Sequence, residues 1–268
     1  MPANLTTTLV IALAAWVVAT LWVAAAREAH ASGRGTHRRL ATAAGAVHVW
    51  TPARFDRDTA GVVIYVHGYF ASVDDAWRSH RLARQFAESG INALFVACEA
   101  PRGPTEPVQW PELGPLLDAA ATAVGGELPR GRVVVVGHSG AHRTIVSWLG
   151  DARIGTIVLV DALYGDVPEL EAWLSADPDR RLIDAAAVTR RRGEELLARF
   201  DDALVFDRFP PARAGKLAGA REARFVYVRS QHEHMELVTG GVALPMMLRA
   251  LRLPMVADAS REAPIHAQ

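Results

Sequence analysis

Residues Arg132 to Gly150 read RVVVVGHSGAHRTIVSWLG. The four valines Val133–Val136 are β-branched and apolar at every position, the pattern of a strand buried on both faces of a parallel sheet. From Gly140 to Leu149 the residues favour a helix, and Gly150 stands where it should end. Between strand and helix lies Gly137-His138-Ser139-Gly140-Ala141. A turn this tight brings neighbouring backbone close, so it needs small residues two before and two after the serine, and Ala141 meets that need as a glycine would.

Outward from this unit the chain alternates. Apolar runs at Ala46–Trp50, Val62–Val66, Ile91–Ala97, Ile154–Val160 and Arg224–Val228 predict further strands. Between them, Ser72-Val73-Asp74-Asp75 has the form of a capping box opening a helix that Gly90 closes. Leu113 to Val124 predicts another helix, and Met235 to Leu251 a last one that Pro245 should kink. Strands alternating with helices predict an α/β fold, a mostly parallel sheet flanked by helices with right-handed crossovers. The proline-rich Glu99 to Pro111 predicts a loop off a strand end. Asp161 to Arg221 is too long for a crossover, and its helical patches Pro168–Leu174 and Leu182–Phe200 predict a helical cap over about 162–221. The basic run Arg190–Arg192 reads as a solvated helix face.

A serine hydroxyl is a weak nucleophile unless a base takes its proton. Two histidines, His232 and His234, follow the last predicted strand. His234 directly precedes an apolar helix, and in an extended loop only one of the pair can face Ser139, so His234 is the favoured base. The base needs an acid to fix its tautomer and to stabilise the imidazolium. Asp161 stands at the C-terminal end of the strand Ile154–Val160, the edge where ligands gather in open α/β sheets. Asp202, Asp207 and Glu233 are the other acids within reach of the sequence argument. An oxyanion needs backbone donors: the strand Val62–Val66 ends in His67-Gly68, after which the N–H of Tyr69 or Phe70 can turn into the site beside that of Gly140. Tyr69, Phe70, Trp110, Leu163, Tyr164 and Trp173 lie in segments placed to rim a pocket, with Phe70, Trp110 and Tyr164 as the substrate contacts. A metal site built on His232 and His234 with His67 or His138 is disfavoured, because alternate histidines point apart and no acidic cluster accompanies them. No phosphate loop or dinucleotide fingerprint is present, so no cofactor is expected.

From Ala46 to Leu253 the chain resembles the α/β-hydrolase superfamily, on His67-Gly68, on Gly137-His138-Ser139-Gly140-Ala141, and on the order Ser139, Asp161, His234. The resemblance implies an oxyanion loop after the third strand and a serine hydrolase acting on a small acyl substrate. The bond would be an ester, or an amide or thioester, cleaved through an acyl-enzyme. Transfer of the acyl group to an alcohol, or a non-catalytic binding protein on the same fold, are the alternatives. Two departures stand out: only one strand is evident after the cap, and the acid follows the strand after the elbow helix rather than the next one. Some lipases of the superfamily carry the acid at this earlier position.

The N-terminus reads differently. Met1 to Ala26 holds no charged side chain, and Leu9–Ala26 is long enough for a membrane-spanning hydrophobic helix. Residues 1–30 are therefore expected to be a single-pass transmembrane anchor, with a cleaved signal ending at Ala29-His30-Ala31 as the alternative. Arg27, Arg34, Arg38 and Arg39 follow the run, and that charge bias favours a cytoplasmic catalytic domain over an exported one. Residues 31–43 read as a linker, 44–255 as the catalytic domain and 256–268 as a flexible tail. Over 268 residues the composition is 50% hydrophobic and 22% charged with a formal net charge of zero, which supports one folded core and argues against a nucleic-acid partner. The single Cys98 cannot close an intramolecular disulfide.

Overall fold

The computed structural model describes residues 35–256. Nine strands form one sheet: β1 (Gly35–Thr42), β2 (Gly45–Pro52), β3 (Gly61–Val66), β4 (Ala93–Cys98), β5 (Val133–His138), β6 (Ile154–Val160), β7 (Arg181–Ala186), β8 (Leu204–Phe206) and β9 (Phe225–Arg229). Their spatial order is β1-β2-β4-β3-β5-β6-β7-β9-β8. The first two pairings in that order, β1 with β2 and β2 with β4, are antiparallel, and all the others are parallel. From β3 through β7 every strand residue is buried, which is why these strands read as unbroken apolar runs where their side chains allow it.

Helices cover both faces. On one lie α1 (Val73–Ser79), α2 (Leu82–Ser89), α7 (Glu236–Thr239) and α8 (Ala243–Arg249), with Phe86, Leu244 and Met247 in the core they share with Val63, Val134 and Val158. On the other lie α3 (Leu113–Ala123), α4 (His142–Trp148), α5 (Val167–Ser175) and α6 (Arg190–Leu197), with Leu116, Ile145, Trp148 and Leu170 packed on Ile64, Val135 and Ile157. A single 3₁₀ turn, Ser139–Ala141, joins β5 to α4.

Four expectations are corrected. The linker 31–43 contains β1, an edge strand whose exposed Thr36–Arg39 shows no apolar alternation to read. The cap over 162–221 contains β7, which fills the sheet between β6 and β9, and the edge strand β8, so the segment runs through a crossover helix, a central strand, a second helix and an edge strand and is not an inserted cap. Strand β7 escaped because Arg181 and Asp184 interrupt its apolar residues; Arg181 is buried only because its guanidinium donates to the carbonyls of Ala220, Ala223 and Ala250. The helix opened by Ser72 has the capping box, Asp75 N–H donating to Ser72 Oγ and Ser72 N–H to Asp75 Oδ2, but it breaks at Arg81, which has φ +50°. The last helix breaks at Gly240-Gly241 and not at Pro245, because the proline falls in the first turn of α8, where its missing N–H has no helical partner to lose.

The apolar run Leu9–Ala26, and with it the N-terminal helix, lies outside the described residues, as does most of the tail 256–268. Among the described residues no helix is long and apolar enough to cross a membrane.

Candidate active site

The turn after β5 holds Ser139 at φ +54°, a left-handed conformation that costs an L-residue energy and that the packing around it must enforce. Gly137 is needed because a side chain there would collide with Ile145 of the following helix and with Ala141 of the turn. Gly68 is needed because a Cβ would stand 2.7 Å from that of Ser139, so the loop after β3 approaches the serine as closely as a backbone can. The Tyr69 ring lies flat against Gly140, where a Cβ would meet it at 2.5 Å. Ser139 is half-buried, and the Tyr164 hydroxyl interacts with its side chain.

Asp161 follows β6 at φ +50° and is wholly buried. Its carboxylate accepts five hydrogen bonds. The N–H groups of Ala187, Val188 and Thr189 donate at 2.8, 3.1 and 2.9 Å, Thr189 Oγ1 at 2.7 Å, and His234 Nδ1 at 2.6 Å. Burial alone would raise its pKa, but these bonds, led by that from His234 and followed by those from Thr189 and Ala187, outweigh it and hold the carboxyl well below the usual range. The His234 ring is about a quarter exposed, with Nδ1 committed to Asp161 and so Nε2 free to take a proton. His232 is elsewhere: its Nδ1 pairs with Glu236 Oε1 at 3.0 Å and its ring lies against Phe209. Asp207 is also elsewhere, exposed and paired with Arg229.

In the loop after β3 the Phe70 N–H donates to the Arg102 carbonyl at 2.9 Å and is thereby spent, so of the two N–H groups expected from the sequence to turn inward only that of Tyr69 is left. The loop that supplies Arg102 is itself pinned to α4 by Arg143, whose guanidinium donates to the carbonyls of Pro104 and Glu106. His67 orders the same region: its Nε2 accepts from Ala100 N–H at 2.9 Å and its Nδ1 donates to the Gly68 carbonyl at 2.7 Å. Among the described residues no group of three or more His, Cys, Asp or Glu is placed to hold a metal ion.

Of the expected rim residues, Phe70 is 89% exposed and Tyr164 44%. Trp110 does not reach the rim: it is 5% exposed and packs in the core, its carbonyl accepting from Trp148 Nε1, and Leu163 and Trp173 are likewise buried. Proline-rich sequence around Trp110 gave no signal of that burial. Sequence reasoning missed the Ala187–Thr189 loop that caps Asp161, because β7 ahead of it was hidden. It also missed His142, one turn after Ser139, whose Nδ1 lies 3.1 Å from Asp166 Oδ2 and whose ring faces Tyr164.

A mostly parallel sheet in this strand order, with a strained serine turn after β5 and loops converging on it from β3, β6 and β9, is the α/β-hydrolase fold. No protein-family model and no curated protein sequence matches the chain. Solved structures do. A feruloyl esterase module from Clostridium thermocellum complexed with sinapinate superposes with a TM-score of 0.53 at 10% identity, covering 81% of this chain and 86% of that one. Carboxyl esterase 2 from the fungus Tuber melanosporum gives 0.51 at 14% identity over 81% and 87%. Fluorophosphonate-binding serine hydrolase F from Staphylococcus aureus gives 0.50 at 11% identity over 80% and 98%. At these identities the likeness is one of fold.

Proposed function

We propose that the chain is a serine hydrolase that cleaves a small carboxylic ester through an acyl-enzyme on Ser139. The observation that carries the reading is the 2.6 Å bond from His234 Nδ1 to a buried Asp161 carboxylate whose other lone pairs are filled by four further donors. An acid so saturated has one chemical task left, to hold the histidine with Nε2 unprotonated and to stabilise the positive charge that follows proton uptake. The esterases among the similar folds favour an ester over an amide as the substrate.

In the acylation step Ser139 Oγ bonds to the ester carbonyl carbon while its proton passes to His234 Nε2. The carbonyl electron pair moves onto oxygen, and the N–H groups of Tyr69 and Gly140 receive that oxyanion. Collapse reforms the carbonyl and breaks the bond to the alcohol oxygen, which takes the proton from His234. Water then attacks the acyl-enzyme by the same route, giving the acid and free Ser139. Tyr164, whose hydroxyl interacts with Ser139, and exposed Phe70, whose ring meets that of Tyr69 edge-on, are assigned to the substrate.

Incubation of the full chain with a fluorophosphonate, followed by a panel of acyl esters of increasing length, tests this. Labelling that Ser139→Ala abolishes, together with ester turnover insensitive to chelators, is the expected result. Turnover that survives Ser139→Ala within a few-fold would refute it.

A further inference from the structure

His138, the residue immediately before Ser139, is 3% exposed and has no part in the mechanism above. Its Nε2 lies 3.3 Å from the main-chain carbonyl oxygen of His234. A carbonyl only accepts, so Nε2 carries the proton and donates. The two imidazole rings also lie against each other, centroids 4.6 Å apart and planes 32° from parallel. Behind His138 stands a fixed wall: His80 meets its ring edge-on at 5.8 Å, and Tyr65 hydroxyl holds His80 Nδ1 at 2.9 Å, both residues being buried.

These contacts matter because His234 sits in a stretch, Ser230 to Met235, with no regular structure of its own. Asp161 tethers the ring at Nδ1, and the main chain before it is held at His232 by Ser230 Oγ and at Glu233 by Glu236 and Leu237, so the His234 carbonyl is where His138 adds its hold against the fraction of an ångström that proton transfer does not tolerate. His138 belongs to the strand that delivers Ser139, so its grip on His234 ties base and nucleophile to the same rigid element.

We propose that His138 is a positioning residue that sets the placement of His234 relative to Ser139 by donating Nε2–H to the His234 main chain. The proposal rests on the Ser139–His234–Asp161 reading. The titratable groups facing His138 are His80, His234 and, at longer range, Asp161. Burial first, and then the two histidines, push its pKa down to about 3, so the ring stays uncharged and does not repel the imidazolium formed on His234 during turnover.

Two substitutions in the full chain separate donation from space-filling. His138→Phe keeps a ring and loses the donor; His138→Gln keeps an N–H of similar reach and loses the ring. With an activated ester, Phe should lower kcat about tenfold with KM unchanged, the worth of one hydrogen bond in the transition state, and Gln should recover to within about threefold of the parent. The reverse ranking, Phe equal to the parent and Gln impaired, would overturn the proposal in favour of packing. A second measurement needs no variant. In ¹⁵N-histidine spectra of the parent chain, His138 should be the Nε2–H tautomer and should not titrate between about pH 5 and 8. An Nδ1–H tautomer, or titration in that range, overturns the assignment. Failure of the folded parent to label at Ser139 with a fluorophosphonate would instead bring down the parent reading, and this one with it.

Discussion

Asp184 makes the strongest quantitative statement about the fold. It sits mid-strand in β7, opposite Tyr227 of β9, wholly buried, and among the described residues neither carboxylate oxygen has a hydrogen-bond partner. Gly193 of α6 packs so closely over it that a Cβ there would stand 2.9 Å from Oδ2. Burial, and secondarily the charge of Asp161, push its pKa up to about 8. An unfolded aspartate titrates near ~3.9, so the folded pKa is raised and the folded state holds a proton that the unfolded state releases. The contribution is therefore intact below about pH 4 and is lost as pH rises toward 8. At pH 7, about three units above the unfolded pKa at ~1.4 kcal/mol each gives a cost on the order of 4 kcal/mol. Asp184→Asn, similar in shape and unable to ionise, should remove it. Urea unfolding of parent and variant from pH 4 to 8 reads the difference, in which the other titrating groups largely cancel. The variant should gain relative to the parent by several kcal/mol across that window. A difference that stays flat with pH would show that Asp184 is not a buried neutral acid and would refute the reasoning.

Other outcomes follow from the same geometry. Asp161→Asn should leave the fold intact and lower kcat/KM on the order of ten-thousandfold, because the amide reverses the tautomer of His234; a small loss there with a large one at Asp207 or Glu233 would move the acid elsewhere. His234→Ala should match Ser139→Ala in damage, while His232→Ala, whose imidazole pairs with Glu236 at the surface, should cost less than about threefold in turnover. Thr189→Ala removes one donor and leaves the backbone N–H groups of the same loop in place, so activity should fall only a few-fold, read as kcat at constant KM. We expect the full chain to sediment with membranes through Leu9–Ala26 and to resist high salt, with an intact N-terminus; a mature start at Ser32 would mean cleavage instead.

How much of this was legible depended on what each segment had to bury. The six strands with predominantly apolar runs could be read because burial leaves few polar positions in them, and β5 through α4 could be read because the serine turn demands small residues at fixed spacing. Strand β7 could not, since its two charged residues are satisfied or neutralised only by partners far along the chain, Ala220, Ala223 and Ala250 for Arg181 and burial itself for Asp184. Missing it concealed the loop over Asp161 and created an imagined cap. Ser139 was legible from the small residues around it, Asp161 from its strand end and His234 from the apolar helix after it; Asp161 and His234 are joined by a 2.6 Å bond, and Ser139 follows β5, the neighbour of the strand that ends at Asp161. Trp110 shows the limit of that argument: a loop at the right edge can still turn its aromatic side chain into the core. The role of His138 had no sequence signal, because its partner is a main-chain carbonyl 96 residues away.

The central claim is that Ser139 is a nucleophile activated through His234 by Asp161. Mass spectrometry of the intact chain after fluorophosphonate treatment tests it most directly. The account predicts one adduct per chain, mapped to the peptide bearing Ser139, and its loss in both Ser139→Ala and His234→Ala. An adduct on another residue, or full labelling of Ser139 when His234 is replaced, would contradict it.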